Sequence, residues 1–273
     1  MTTRAELLAE LKASYATPRP RVRGLARLNP SLGFYARVAA TVLRCAEFGR
    51  EGRLSLAIWG EYSGRILRAF EACGVPVIIE NLEVFNQFEG PCVIIGNHMS
   101  TTETFLPPYL MLPYRHITFV VKQALIDYPV FKHVMRATDP IVVGRSDPRR
   151  DLRTVIDGGA ERLQRGISVI IFPQRTRAVA FRPEEFNSIG VKLARAAGVP
   201  VIPLAVKTDA WSQGKRLKDF GPLYPDRPVH MALGEPMEVT GNGKAQNDAV
   251  IAFIQNKLAE WAVWDARWCA ARG

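Results

Sequence analysis

Cysteine is scarce. The 273 residues hold four, Cys45, Cys73, Cys92 and Cys269, with no CxxC pair and no histidine beside them at zinc-ligand spacing. That excludes a disulfide framework and a thiolate metal site, and predicts reduced, buried fillers. Long apolar runs are missing as well. The opening stretch MTTRAELLAELK carries a charge every few positions and lacks the apolar segment of a secretory signal. Between Leu32 and Phe70, Arg37, Arg44, Glu47, Arg50 and Arg53 interrupt every window before it reaches the roughly 18 apolar residues of a spanning helix. The expected location is therefore cytoplasmic. Internal repeats and low-complexity tracts are lacking, and so is the disorder signature, since 48% of residues are hydrophobic and 23% charged. The chain folds.

What is present in excess is positive charge. The formal net charge is +10, and residues 1 to 70 hold 12 Lys/Arg against 5 Asp/Glu, which is +7 of that total. A basic N-terminal region suits an anionic lipid surface, an acidic carrier protein or nucleic acid equally well, so charge alone does not choose. No nucleic-acid recognition motif or aromatic-basic interleaving accompanies it, and no nucleic-acid partner is expected.

Two regions follow from the pattern. Residues 1 to 74 form an N-terminal arm and amphipathic helices. The Pro/Arg-rich stretch TPRPRVRGLARLNP reads as an extended or mobile arm. Beyond it Phe34, Val38, Val42, Trp59, Ile66 and Phe70 recur at three-to-four spacing, which predicts two helices. Their apolar side has two readings: it lies on a membrane surface with arginines toward headgroups, or it packs on the rest of the protein.

Residues 75 to 273 alternate short β-branched runs with helical stretches. The runs are CVIIGN (92–97), ITFVVK (117–122), PIVVGR (140–145), ISVIIFP (167–173), VIPLAVK (201–207) and VHMALG (229–234). Helical patterns cover 130–137, 151–165, 188–197 and 247–264. The fold class is α/β, a largely parallel central sheet flanked by helices, and the last helix is expected to cap the sheet through Val250, Phe253, Ile254, Leu258 and Trp261.

Ligands of open α/β sheets collect beyond the C-terminal ends of strands, so the residues after each run are the candidates for chemistry. The 92–97 run exits into Asn97-His98-Met99-Ser100-Thr101-Thr102-Glu103. On a regular helix, positions five apart diverge by roughly 140°, so His98 and Glu103 meet only if the histidine lies in the loop and the glutamate in the first helical turn. In that arrangement the carboxylate fixes the imidazole tautomer and raises its basicity, making His98 a general base. The competing readings are a hydrogen-bonded loop histidine and a capping box, because Ser100-Thr101-Thr102-Glu103 matches S-x-x-E. A second cluster, Gln174-Arg175-Thr176-Arg177, follows Phe172-Pro173, and Arg145 follows PIVVG. Read as lying at the ends of adjacent strands, these three arginines offer planar cationic forks for phosphate.

The ordered blocks NHMSTTE, PIVVGR, FPQRTR and VPVIPLAV resemble the NHxSxxD, arginine-ending, FPEGTR and fourth motifs of the glycerolipid acyltransferase family, which includes 1-acylglycerol-3-phosphate acyltransferases. The stretch from Lys122 to Phe131 is similar to the family's usual connection, and the likeness covers residues 59 to 240. The resemblance implies an O-acyltransferase of phospholipid biosynthesis, moving a fatty acyl group from acyl-CoA or acyl carrier protein to a lysophospholipid, most simply 1-acylglycerol-3-phosphate. His98 and Glu103 would be catalytic, and Arg145, Gln174, Arg175, Thr176 and Arg177 would bind substrate, with backbone near the third block holding the oxyanion. No metal, cofactor or covalent enzyme intermediate is implied, and the protein would sit peripherally on the cytoplasmic face of the membrane. The chain departs from the family pattern where Glu103 replaces aspartate and where Gln174-Arg175 replaces Glu-Gly. The second change removes a carboxylate and adds a cation at the expected headgroup position, which keeps another lysolipid or an aminolipid open as acceptor. Asn187 stands where many relatives carry lysine after phenylalanine, with Lys192 nearby. A non-catalytic lipid-binding or membrane-scaffolding protein of the same fold is the reading from outside enzymology.

Overall fold

A computed structural model describes residues 13–18, 22–144, 146–174, 176–214 and 218–271. Its strands are β1 (Tyr15–Ala16), β2 (Val77–Glu80), β3 (Val93–Gly96), β4 (Ile117–Lys122), β5 (Ile141–Val143), β6 (Ser168–Ile171), β7 (Val201–Lys207) and β8 (Val229–Leu233). They form one eight-stranded sheet in the order β1-β2-β8-β7-β3-β6-β4-β5. Pairing is parallel except at β1–β2 and β7–β8. The sheet is thus largely parallel, as expected from strands separated by helical crossovers.

The helices are α1 (Pro30–Arg50), α2 (Leu56–Glu71), α3 (Thr102–Phe105), α4 (Pro107–Met111), α5 (Gln123–Ile126), α6 (Phe131–Ala137), α7 (Pro148–Gln164), α8 (Ile189–Ala197) and α9 (Lys244–Ala270). Local chemistry sets their ends. Asn29 accepts from Leu32 N–H with Pro30 at the first helical position, Ser55 accepts from Ile58 N–H, and Asp147 accepts from Arg149 and Arg150 N–H ahead of Pro148. α8 stops at Gly198, whose φ of 66° is the left-handed conformation glycine adopts without strain.

Period-two alternation divides the sheet's side chains between two cores. On one face Ile94, Ile170, Ile202, Leu204 and Val206 meet Phe34 and Val38 of α1 and Trp59, Ile66 and Phe70 of α2. On the other, Val93, Ile95, Val169, Ile171 and Val201 meet Val155 of α7, Val191 and Leu193 of α8, and Val250, Ile254 and Trp261 of α9. The inward side of α1 and α2 therefore packs on the sheet. Phe34 and Phe70 are completely buried, and truncating either to alanine should cost about 3–5 kcal/mol. Large apolar residues left outside on and before α1 include Val22, Leu25, Leu28, Leu32 and Leu43. No helix among the described residues is long and apolar enough to cross a membrane.

One expectation is narrowed and two are corrected. The arm is tied down where it is described: Tyr15–Ala16 adds an antiparallel edge to β2, Thr17 bonds Val77, and Gly24–Arg27 forms a short 3-10 turn against α1. Its backbone donors and acceptors thereby find partners in the sheet edge, which a polar, proline-containing sequence does not advertise. Cys45, Cys73 and Cys92 are buried, but Cys269 is exposed on the outer side of α9. Finally, β5 is the sheet's edge and is separated from β6 by β4. The residue after β5 therefore does not follow a neighbour of β6; the α7 crossover returns the chain two places inward rather than one.

Candidate active site

His98 lies in the loop after β3, and Glu103 sits in the single turn of α3, the arrangement that lets a five-residue separation close. His98 Nδ1 is 3.3 Å from Glu103 Oε2, with the histidine side chain 19% exposed and the glutamate fully buried. The contact is within ion-pair distance yet out of line for a hydrogen bond, so Nδ1 has no hydrogen-bond partner. Such geometry is common in catalytic pairs without substrate and tightens when the site is filled.

A buried carboxylate needs donors, and Glu103 has three. Oε1 receives N–H from Met99 at 3.2 Å and Ser100 at 2.9 Å, and the hydroxyl of Thr208 also donates to it. Oε2 shares the Ser100 N–H at 2.9 Å. Half of the expected capping box is therefore present, since Ser100 Oγ accepts from Thr102 N–H rather than from Glu103. One carboxylate caps the turn and faces the imidazole at once.

The third block holds the histidine from the opposite side. Gln174, 2% exposed, accepts His98 N–H through Oε1 at 2.7 Å, and Ala178 N–H donates to His98 O at 2.9 Å. Phe172 stacks on the imidazole with centroids 4.7 Å apart and planes 13° from parallel. Gln174 Nε2 is buried without a partner. Asn97 ties the ends of β3 and β7 together, donating to Val206 O at 2.8 Å and accepting Val206 N–H at 2.9 Å.

The predicted cationic residues are distributed unevenly. Arg177 reaches the first block, donating to Thr101 Oγ1 at 2.5 Å, and forms an ion pair with Asp219. Gln213 Nε2 joins the Arg177 and Met99 carbonyls at 3.1 and 3.3 Å. Thr176 is exposed. Arg145 and Arg175 lie outside the described residues. Asn187 donates to Pro173 O at 2.5 Å, and Lys192 is exposed. No group of His, Cys, Asp or Glu among the described residues is arranged to hold a metal ion. Thr208, Asp219 and Gln213 were not among the sequence candidates, although Thr208 directly follows a strand run and the strand-end rule points to it.

An oriented histidine at the mouth of a mostly parallel sheet, with an arginine anchored beside it, defines a site able to abstract a proton from a hydroxyl next to an anionic group. The comparisons give the family. A family model described as Acyltransferase matches residues 76–207. The 1-acyl-sn-glycerol-3-phosphate acyltransferase of Pseudomonas aeruginosa is 31% identical over 192 residues, covering 68% of this chain and 70% of that protein. The protein of the same name from Cocos nucifera is 27% identical over 157 residues, which span 58% of this chain but only 47% of the coconut protein. Among solved structures, the 1-acyl-sn-glycerophosphate (LPA) acyltransferase PlsC from Thermotoga maritima shares the fold, with a TM-score of 0.64 at 20% identity over 86% of this chain and 95% of that one. The chain belongs to the glycerolipid acyltransferase family. It is an acyltransferase of lipid synthesis.

Proposed function

We propose that this enzyme transfers a fatty acyl group from a thioester, acyl-CoA or acyl carrier protein, to the free hydroxyl of a lysophospholipid, most simply 1-acylglycerol-3-phosphate. His98 is the base. With the Nδ1 contact to Glu103 tightening once substrate is bound, the imidazole keeps its proton on Nδ1 and presents the Nε2 lone pair, which takes the hydroxyl proton as that oxygen attacks the thioester carbonyl. The tetrahedral intermediate then expels the thiolate, which leaves as the thiol after taking the proton back from His98. The observation that carries this reading is the 3.3 Å approach of His98 Nδ1 to the buried Glu103 carboxylate, at the end of a strand and with the ring partly open to solvent. Arg177 is assigned to the acceptor's phosphate, and Gln174 acts through the backbone of His98 rather than on substrate. Thr176, Arg145 and Arg175 are kept as acceptor-side residues on their place in the motifs.

The protein works at an anionic membrane surface, a reading supported by the basic first 70 residues and by exposed Leu32 and Leu43. Eleven residues apart on α1, these leucines fall within roughly 20° of one another around the helix.

A second acceptor class is favoured by one observation: Asp219 already neutralises Arg177. An acceptor with a smaller negative charge than a phosphomonoester, or with an amine, meets less repulsion there. Purified protein given one radiolabelled acyl donor and a panel of lysolipids tests the proposal. Ester formation with lysophosphatidic acid as best acceptor supports the first reading, preference for a lyso-aminolipid supports the second, and no acyl transfer to any lysolipid refutes both.

A further inference from the structure

The dyad carries a residue longer than the family's aspartate, and the extra torsion of a glutamate gives its carboxylate more positions to choose from. Something must select the one that faces the histidine. The two oxygens of Glu103 are unequal: Oε1 gathers Met99 N–H, Ser100 N–H and the Thr208 hydroxyl, while Oε2 shares one N–H and looks at His98 Nδ1. Two of the three donors to Oε1 belong to the same loop as His98 and move with it. Thr208 does not. It stands one residue past the end of β7, is completely buried, and is 105 residues from Glu103 in the chain.

The sheet holds that donor in register. Asn97 clamps the ends of β3 and β7 through both atoms of its amide, and Thr208 N–H itself contacts Met99 Sδ at 3.2 Å. The hydroxyl therefore arrives at the carboxylate from a fixed backbone, and a donor aimed at an ionised oxygen is among the stronger hydrogen bonds a neutral side chain makes.

We propose that Thr208 is a positioning residue of the acyl-transfer centre, fixing which oxygen of Glu103 faces His98. The proposal rests on His98 being the base and adds the means by which its carboxylate partner is oriented. Thr208 is completely buried and acts through Glu103.

The test compares the purified full chain with T208V, which keeps the shape and loses the hydroxyl, T208S, which keeps it, and E103Q with and without T208V, all beside H98A. Expected for T208V is a kcat lower by about tenfold or more with both KM values within about twofold, because an interaction felt only by the general base changes the chemical step. T208S should recover to within about threefold of wild type, and T208V should add no loss in the E103Q background. Wild-type kcat in T208V, equal damage from T208S, or additive losses with E103Q would each overturn the proposal. Should the valine protein lack a melting transition, T208A takes its place under the same criteria. Full activity in H98A would instead sink the underlying assignment of the base, whereas an inactive H98A beside an undamaged T208V defeats the Thr208 proposal alone.

Discussion

Gln174 Oε1 accepts the backbone N–H of His98 at 2.7 Å, a bond that joins two motif blocks 76 residues apart. The acceptor is buried and the donor partly so, and removing the acceptor leaves that N–H without its partner, at a cost of up to about 1–3 kcal/mol. Gln174→Ala should lower kcat about tenfold and reduce the melting temperature, while Gln174→Glu, which retains an oxygen at that place, should keep the greater part of the activity. Steady-state kinetics and thermal melts of the two variants check this. Equal loss in both would mean that the amide's own donor, not the bond to His98, is what matters.

Arg177 is poised between an internal carboxylate and the substrate. If it binds the acceptor's phosphate, Arg177→Ala raises the acceptor KM about tenfold, the usual effect of losing a charge-assisted hydrogen bond. Asp219→Asn, which removes the competing charge, lowers it. An unchanged KM in Arg177→Ala removes the residue from the acceptor site.

Leu32 and Leu43 remain outside the core while their helix packs on the sheet. Replacing both with glutamate should weaken sedimentation with anionic vesicles by at least tenfold, as each buried leucine is worth about 1.5–3 kcal/mol. High salt should weaken binding of the unchanged protein as well, by screening the arginines. Vesicle binding that neither change alters would place the lipid contact elsewhere.

Outside the dyad, Asp265 on α9 meets His230 at 2.8 Å and Lys207 at 2.6 Å, the latter an ion pair out of line for a hydrogen bond. Burial acts to raise the Asp265 carboxyl, but the His230 hydrogen bond and the charges of His230 and Lys207 outweigh it and hold the group below its usual range. A depressed carboxyl stabilises the fold above its unfolded value of about 3.9 and loses that contribution as pH falls through its folded value. The melting-temperature gap between wild type and Asp265→Asn should therefore be widest near neutral pH and shrink on acidification below about pH 4. A gap independent of pH would deny Asp265 its charge in the folded state.

Much of this was legible before any coordinates. Six strands announced themselves as β-branched runs, and helices α1, α2, α6, α7, α8 and α9 as three-to-four patterns or polar stretches between the runs. The two missed strands have a common cause. Val77–Glu80 is four residues a short turn after a helix, and Tyr15–Ala16 is two residues whose strand character exists only through pairing with it. Strand adjacency was also beyond local reading, because nothing in the β5 sequence says that β4 will insert between it and β6. At the site, His98 and Glu103 were found because their chemistry is compressed into seven residues. Gln174 is named from its place in the third block, and its bond to the backbone of His98 is a contact no local pattern announces. Thr208 and Asp219 come from sequence more than a hundred residues from Glu103, and ordinary threonine and aspartate side chains gain meaning only when the sheet brings them in.

The central claim is that His98 removes the acceptor's proton. Its most direct test is single-turnover acyl transfer by purified His98→Ala, with circular dichroism and melting temperature matched to wild type. The account predicts a folded protein with ester formation reduced by about 10²-fold or more, the contribution of a general base. Transfer at the wild-type rate by that folded variant would contradict it.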